Sequence, residues 1–367
     1  MVCVIAKFKR FSGLNNPANG LRLIKSKTIH EFDLDYSSVL DNKNILITGG
    51  TGSFGHQMIK ELTRYKPKTI RIFSRDEDKQ HLMRQEFSDS PILKKMQFVI
   101  GDVRDYDRVY TAAKDIDIIF HAAALKQVPA VESHPFEAVK TNIIGAYNVV
   151  KASVARKVPK VVAISTDKAV KPVNAMGMTK ALQEKLILSD DLSKDNTTFC
   201  CVRYGNVLGS RGSIVPLWDA KIAKNEPLPV THPQMTRFML TLSQAIDLVF
   251  YAVKNTKGGE IFVKKAPASK IVDLAQAYAQ IKTNKKNYPI KYIGIRAGEK
   301  IDEILVSEEE MRRVEERKDH FVIKREEELD VDSLGKNLKV QEYGSATVKH
   351  LNQDELIKLM KQLKWVI

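Results

Sequence analysis

Short apolar, β-branched runs alternate with stretches of helical periodicity from Asp41 to about Arg203. The runs are Asn44–Thr48, Thr69–Phe73, Met96–Ile100, Ile116–Phe120, Val161–Ser165 and Thr198–Arg203. Each is nearly continuous in apolar residues, the pattern of parallel strands buried on both faces. Strands separated by helices imply right-handed βαβ crossovers, so an α/β fold with a doubly wound parallel Rossmann sheet is expected. The stretch Pro135–Lys157 reads as one long helix. Beyond Asn206 the pattern breaks at Pro216, Pro227, Pro229 and Pro233. A strand pair around Arg237–Leu242 and Gly259–Val263 is expected to return to the main sheet. Residues 307–330 are dense in charge. From Leu351 the chain shows helix-start chemistry: Asn352 as cap, Glu355 three residues later, and Leu351 placed to staple onto Leu356. Leu356, Leu359, Met360 and Leu363 then form one apolar stripe, read as a helix docked on its own domain. The expected organisation is an N-terminal extension over 1–40 and a Rossmann domain over 41–205 with a return at 237–264. A smaller, loop-rich C-terminal substrate domain follows, from 206–236 and 265–367.

Composition narrows the function classes. The chain has 367 residues, 43% hydrophobic and 28% charged, which excludes collagen-like, wholly disordered and disulfide-scaffold proteins. No apolar run approaches the roughly 20 residues of a membrane span, so no membrane partner is expected and the chain reads as cytoplasmic. Cys3, Cys200 and Cys201 do not make a secreted disulfide framework. The last two are adjacent on a strand and point to opposite faces as small buried hydrophobes. The histidines show no ligand spacing, so no metal is expected. The net charge of +15 favours anionic partners. No basic stripe with interleaved aromatics is present, which argues against nucleic acid. Residues 1–30 carry Lys7, Lys9, Arg10, Arg22, Lys25 and Lys27 with no acidic residue. These charges follow the short apolar start instead of preceding it, unlike a signal peptide, and a flexible or loosely docked basic extension is expected.

The strand Asn44–Thr48 runs directly into Gly49-Gly50-Thr51-Gly52-Ser53-Phe54-Gly55, and a helical pattern follows. Gly49 allows a tight turn, Gly52 lets the backbone approach a pyrophosphate, and Gly55 permits close helix–strand packing. The helix N-terminus then offers N–H groups to the anion. Strand before and helix after make this a dinucleotide turn. The second strand ends at Arg75, where an NAD site would present a carboxylate to the ribose, and Lys79 follows one turn later. Two cations suit a 2′-phosphate, so NADP is expected, with Asp76 as a competing signal. Asp102 and Val103, after the third strand, are placed to border the adenine.

Chemistry belongs at the C-terminal ends of such strands. There the fifth strand ends in Ser165-Thr166-Asp167-Lys168-Ala169, and Met176-Gly177-Met178-Thr179-Lys180 opens the next helix. The arrangement resembles the extended short-chain dehydrogenase/reductases, in which a hydroxyl residue and a Tyr-x-x-x-Lys pair surround the nicotinamide. Here Met176 stands at the tyrosine position, and a thioether cannot move a proton. An adjacent acid and amine, Asp167 and Lys168, suit proton abstraction beside a carbonyl and loss of water.

The stretches Phe120–Gln127, Pro135–Gly145, Ser165–Lys180, Val202–Pro216, Met235–Phe238 and Arg296–Lys300 resemble the inverting UDP-N-acetylglucosamine 4,6-dehydratases. The likeness runs over about residues 41–305 and is nearest the capsule and O-antigen branch, which starts routes to N-acetylated L-fucosamine or L-rhamnosamine. Tyr343-Gly344-Ser345 loosely matches that branch's C-terminal motif. The resemblance implies a tightly bound NADP, regenerated at each turnover and contacted also by Ala122, Ala123, Lys126, Met176 and Lys180. It implies that Lys168 removes the C5 proton of a 4-keto sugar, that Asp167 protonates the departing C6 hydroxyl, and that C5 is reprotonated on the opposite face. Thr166 occupies the usual hydroxyl position. Lys126, Asn206, Arg211, Arg237, Arg296 and Glu299 are implied on the UDP-sugar side. A homo-oligomer, dimer or hexamer, is implied through the Pro135–Lys157 helix. The alternatives are another sugar-nucleotide epimerase or reductase of this fold, or a non-catalytic dinucleotide-binding regulator.

Overall fold

The structure, a computed structural model, describes residues 34–189, 196–208, 214–325 and 340–362. Cys3, Arg211, Leu363 and the basic segment 1–30 lie outside the described residues. Six parallel strands form where the apolar runs place them: β1 (Asn44–Thr48), β2 (Thr69–Ser74), β3 (Met96–Ile100), β4 (Ile118–His121), β5 (Lys160–Ile164) and β6 (Thr198–Arg203). β7 (Ile261–Lys264) continues parallel beside β6, with Cys201 opposite Ile261. A hairpin of β8 (Val314–Glu316) and β9 (His320–Ile323) closes that side antiparallel. The nine-stranded order is β8-β9-β7-β6-β5-β4-β1-β2-β3. The sequence order reverses between β1 and β4, and this reversal opens a crevice at their C-terminal ends.

Successive side chains on each strand enter different cores. Ile45, Ile47, Ile70, Ile72, Phe120, Val162 and Cys200 pack on one face against α1 (Ser53–Leu62) and α2 (Glu77–Glu86). Leu46, Phe73, Ile119, Val161, Ala163 and Cys201 pack on the other. There they meet α3 (Tyr106–Ala112), α4 (Gly145–Ala155) and Ile187 of α5 (Ala175–Leu188). α6 (Leu242–Asn255) joins the first face through Ile246, Leu248 and Val249. Full burial of each large aliphatic side chain contributes about 1.5–3 kcal/mol. Cys200 and Cys201 thus sit on opposite faces, as their adjacency on a strand requires.

Three expectations need correction. Met96–Ile100 is not buried on both faces: β3 is the sheet edge, and Ile100 is exposed. The Pro135–Lys157 helix is continuous but not uniform. Its first turn, Pro135–Ala138, passes through a π-helical stretch, Val139–Ile144, before α4. Of the expected strand pair, only Ile261–Lys264 joins the main sheet. Thr236–Phe238 pairs antiparallel with Ala268–Lys270 instead, because the Arg237 guanidinium is tied to the carbonyls of Lys300 and Ile301, and Thr241 caps α6 at once with a capping box. Within the charge-dense stretch β8 and β9 complete the sheet, and Glu315 and Glu316 lie on its outer edge strand, where charge discourages further pairing.

Tyr36 and Leu40, from the end of the expected N-terminal extension, are buried, and Tyr36 stacks edge-on with Phe250 while its hydroxyl donates to Asp247 Oδ1 at 2.9 Å. The described residues from Asp35 onward form one compact unit. Within it a third core gathers Trp218, Leu228, Leu274 and Tyr278. α7 (Ile271–Thr283) carries the last two, and α8 (Gln353–Gln362) docks on it through Leu356 and Met360. Asn352 and Glu355 bond reciprocally at the start of α8, each at 2.9 Å, as the capping pattern requires.

Candidate active site

The glycine turn sits at the switch between β1 and β4. Gly49 has φ +66°, and a Cβ there would come within 2.8 Å of Ala123 Cα. A Cβ on Gly55 would meet the Gly50 carbonyl oxygen at 1.9 Å, so the helix can approach the turn only with glycine there. The two loops are knitted together: Thr48 Oγ1 lies 2.8 Å from His121 Nδ1 and accepts from Ala123 N at 3.3 Å, while Ala122 N donates to Thr48 O at 3.2 Å. α1 begins at Gly52 with no side-chain cap. Such a cradle fits a dinucleotide pyrophosphate, with Thr51, Gly52, Ser53 and Phe54 forming the rim.

The cations just past the end of β2 already have partners. Arg75 Nη1 is 3.5 Å from Asp102 Oδ2. Asp76 is the N-cap of α2; it accepts from Lys79 N at 2.9 Å and pairs with Lys79 Nζ. Hydrogen bonds from Lys79 hold the Asp76 carboxyl below its usual range. Burial opposes the charge on Asp102, but hydrogen bonds from Arg104 and the charges of Arg104 and Arg75 outweigh it and lower its pKa. Val103 points into the core, where a Cβ on Gly145 would strike it.

The chemistry-bearing segment follows β5. Thr166 caps a 3₁₀ turn over Asp167–Ala169, and its Oγ1 donates to Asp167 Oδ1 at 2.8 Å. Lys168 Nζ donates to the same Oδ1 at 3.0 Å and lies 3.2 Å from Glu303 Oε1. Asp167 is 0% exposed, and its Oδ2 has no hydrogen-bond partner among the described residues. Burial works against the Lys168 ammonium, but Asp167 and Glu303 prevail and raise its pKa.

Behind this turn the side chains are locked. Arg237 Nη1 donates to Thr236 O and Ile301 O, and Nη2 to Lys300 O, leaving Nε 3.7 Å from Glu303 Oε1. Lys300 Nζ donates to Val170 O at 2.7 Å. Ser345, within Tyr343-Gly344-Ser345, accepts from Glu303 N at 2.9 Å.

α5 is capped by Asn174, whose Oδ1 accepts from Gly177 N at 2.7 Å. Met176 is buried with Val131 and Ala138. Lys180 Nζ donates to Ile164 O at 2.6 Å and Gln183 Oε1 at 2.7 Å, and burial pulls its pKa down to about 8. Leu125 is clamped by Asn142 of the π stretch, which accepts from Leu125 N and donates to Leu125 O. Burial lowers the pKa of the neighbouring Lys126. Asn206 and Arg296 are exposed; Glu299 N donates to Arg296 O at 3.1 Å, and Arg296 N to Glu299 Oε2 at 3.2 Å.

The structure therefore brings Thr166, Asp167, Lys168 and Arg237 into one cluster. Arg75, Asp76, Lys79 and Asp102 form another. Sequence reasoning missed Glu303, Lys300 and Asn142. Each lies in or near a motif that was singled out, but nothing local marks a buried glutamate far along the chain as a partner of Lys168.

The model of the polysaccharide biosynthesis protein family matches residues 45–325, through every strand just described. The chain belongs to that family. A UDP-glucose 4-epimerase from Rickettsia bellii is 45% identical over 337 residues, spanning 89% of this chain and 97% of that protein. Among solved structures, Pen from Bacillus thuringiensis is 41% identical, covers 88% of this chain and 99% of its own, and superposes with a TM-score of 0.79. A dTDP-glucose 4,6-dehydratase from Streptomyces venezuelae, with NAD and TYD bound, shares the fold at 15% identity and a TM-score of 0.64, covering 88% of this chain and 97% of its own. The fold is thus one shared with solved nucleotide-sugar epimerases and dehydratases. No helix among the described residues is long and apolar enough to cross a membrane.

Proposed function

We propose that the protein is a UDP-N-acetylglucosamine 4,6-dehydratase that inverts C5, with NADP as its resident cofactor. The observation that carries this reading is the Asp167–Lys168 pair at the tip of β5, beside a helix that offers Met176 where a proton-transferring tyrosine would stand. A dinucleotide held by its pyrophosphate in the Gly49–Gly55 cradle would supply hydride removal at C4 and hydride return at C6. This chain's own residues supply the proton chemistry. Lys168 removes the C5 proton, acidified by the neighbouring ketone, and Asp167 protonates the departing C6 hydroxyl. Thr166 holds the Asp167 carboxyl in place through its 2.8 Å hydrogen bond. Lys180 orients the cofactor side of α5. Arg75 and Lys79 meet the 2′-phosphate. Lys126, Asn206, Arg237, Arg296 and Glu299 are assigned to the UDP-sugar, with Arg211, outside the described residues, as a further candidate; guanidinium geometry suits a diphosphate.

In this reading residues 206–236 and 265–367 make the substrate domain, the protein acts in the cytoplasm, and its product enters surface-glycan synthesis. The test is incubation with UDP-N-acetylglucosamine and NADP, followed by NMR. A C6 methyl group, a C4 ketone and the L-configuration at C5 are expected. A second reading, 4-epimerisation, draws on the relatives named UDP-glucose 4-epimerase. It requires instead a product with C6 still hydroxylated and only C4 inverted.

A further inference from the structure

Glu303 immediately precedes the strand Ile304–Val306, and the reaction proposed above gives it no task. Its side chain is only 2% exposed, and its carboxylate is directed at Lys168. The backbone is pinned as well: Glu303 N donates to Ser345 Oγ at 2.9 Å, and Ser345 N donates to Glu303 O at 2.7 Å. Burying a carboxylate costs several kcal/mol unless it is well paired. This one faces the residue that must act as a base, and Arg237 Nε, at 3.7 Å, is a looser partner. The charged groups around it are Asp167 and Lys168 on the 3₁₀ turn, Arg237 on the strand Thr236–Phe238, and Lys300 on its own loop. Burial and Asp167 push its pKa up against the pull of the three cations.

An ammonium cannot take a proton, and Lys168 Nζ lies 3.2 Å from the Glu303 carboxylate and 3.0 Å from Asp167 Oδ1; the cycle starts with Lys168 as the ammonium, Glu303 as the carboxylate and Asp167 as the neutral acid that releases water. We propose that Glu303 is a positioning residue that holds Lys168 Nζ beside Asp167 and accepts one of its protons before the C5 step. An Nζ–H bond breaks and an Oε1–H bond forms, which frees the electron pair on Nζ. That pair takes the C5 proton, and the C5–H electrons form the C5–C6 double bond as the C6 hydroxyl leaves with the Asp167 proton. Lys168 then passes a proton to Asp167 Oδ1 and is refilled from Glu303 Oε1. All three groups return to their starting state, and the C5 proton is balanced by the water released. The inference rests on Lys168 being the C5 base.

The experiment is Glu303→Gln in the full chain with NADP and UDP-N-acetylglucosamine in D₂O, reading deuterium at C5 by NMR across neutral pH. Exchange is expected to fall by about 10²-fold or more, the scale of a lost proton-transfer partner. Binding of UDP-N-acetylglucosamine by calorimetry should change by less than about threefold. A purely electrostatic neighbour gives the opposite sign. Removing its charge makes Lys168 easier to deprotonate and speeds exchange at neutral pH. Exchange equal to or faster than that of the unmodified protein overturns the role of Glu303, as does a matching loss of substrate binding. Should the glutamine variant not fold, Glu303→Asp retains a proton acceptor and should exchange above the level of Lys168→Ala; exchange no higher than that also overturns it. If the unmodified protein keeps protium at C5, the C5-inversion reading fails first and this inference falls with it. Normal exchange in both proteins removes Glu303 alone.

Discussion

Lys180 reaches back from the second turn of α5 to donate to the carbonyl oxygen of Ile164, the last residue of β5, at 2.6 Å. The bond ties the helix bearing Met176 to the strand that presents Asp167 and Lys168. Its cost is a buried ammonium whose pKa falls to about 8, chiefly through burial. In the unfolded chain the same group titrates near 10.4, so between these values the unfolded state binds more protons and stability must rise with pH. The span corresponds to roughly 3 kcal/mol at about 1.4 kcal/mol per pKa unit. Denaturant melts of the wild type and Lys180→Met from pH 7 to about 10.5 should show their difference shifting toward the wild type. A constant difference would contradict the burial assigned to Lys180.

The buried network around Arg203 supports a second prediction. Its guanidinium donates to Glu184 from Nε and Nη2 and to Glu310 from Nη1 and Nη2, at 2.5–2.9 Å. Arg203→Met strands two buried carboxylates and should destabilise the fold by about 3–5 kcal/mol. Urea unfolding measures it, and a loss under about 1 kcal/mol, the surface-pair range, would mean the pair is hydrated.

Arg75 is half exposed and shares Asp102 with Arg104, so it is partly neutralised before any ligand arrives. If it reads the 2′-phosphate, Arg75→Ala weakens NADP by about 1–3 kcal/mol, the range for hydrogen bonds to charged groups. NAD should be nearly unaffected. Calorimetric titration with both dinucleotides decides, and equal losses for the two would remove the assignment.

Met176 and Thr166 should separate packing from proton handling. Met176→Ala empties a small apolar cluster and should cost about 2–5 kcal/mol of stability, while the folded fraction keeps most of its turnover. Thr166→Val deletes the donor to Asp167 Oδ1 and should lower kcat about tenfold, the worth of one hydrogen bond. Steady-state rates per folded molecule provide the comparison; the reverse pattern would place the proton path at Met176.

Phe136, Ile144 and Tyr147 are exposed on the helical run into α4, and Met178 and Leu182 on α5. These apolar side chains are expected to meet the same face of a second copy, giving a dimer or a hexamer. Light scattering should show more than a monomer at micromolar concentration, and Tyr147→Glu should shift the population toward monomer.

The six parallel strands between Asn44 and Arg203, the glycine turn, the capping of α8 and the acid–amine pair at the end of β5 were all legible in the sequence. Each rests on local rules: alternation of side chains, φ values open to glycine, an oxygen three residues before a free N–H. What the sequence did not contain is which distant groups share a buried volume. Thr236–Phe238 left the expected pairing because the Arg237 guanidinium found carbonyls at Lys300 and Ile301. Lys168 met Glu303, 135 positions away, because the segment that Ser345 pins lies against the turn after β5. Asp76, one place past the tip of β2, became a helix cap bonded to Lys79. Local chemistry determines which elements form. Only folding, which removes water and forces buried charges to find partners, decides which side chains act on one another.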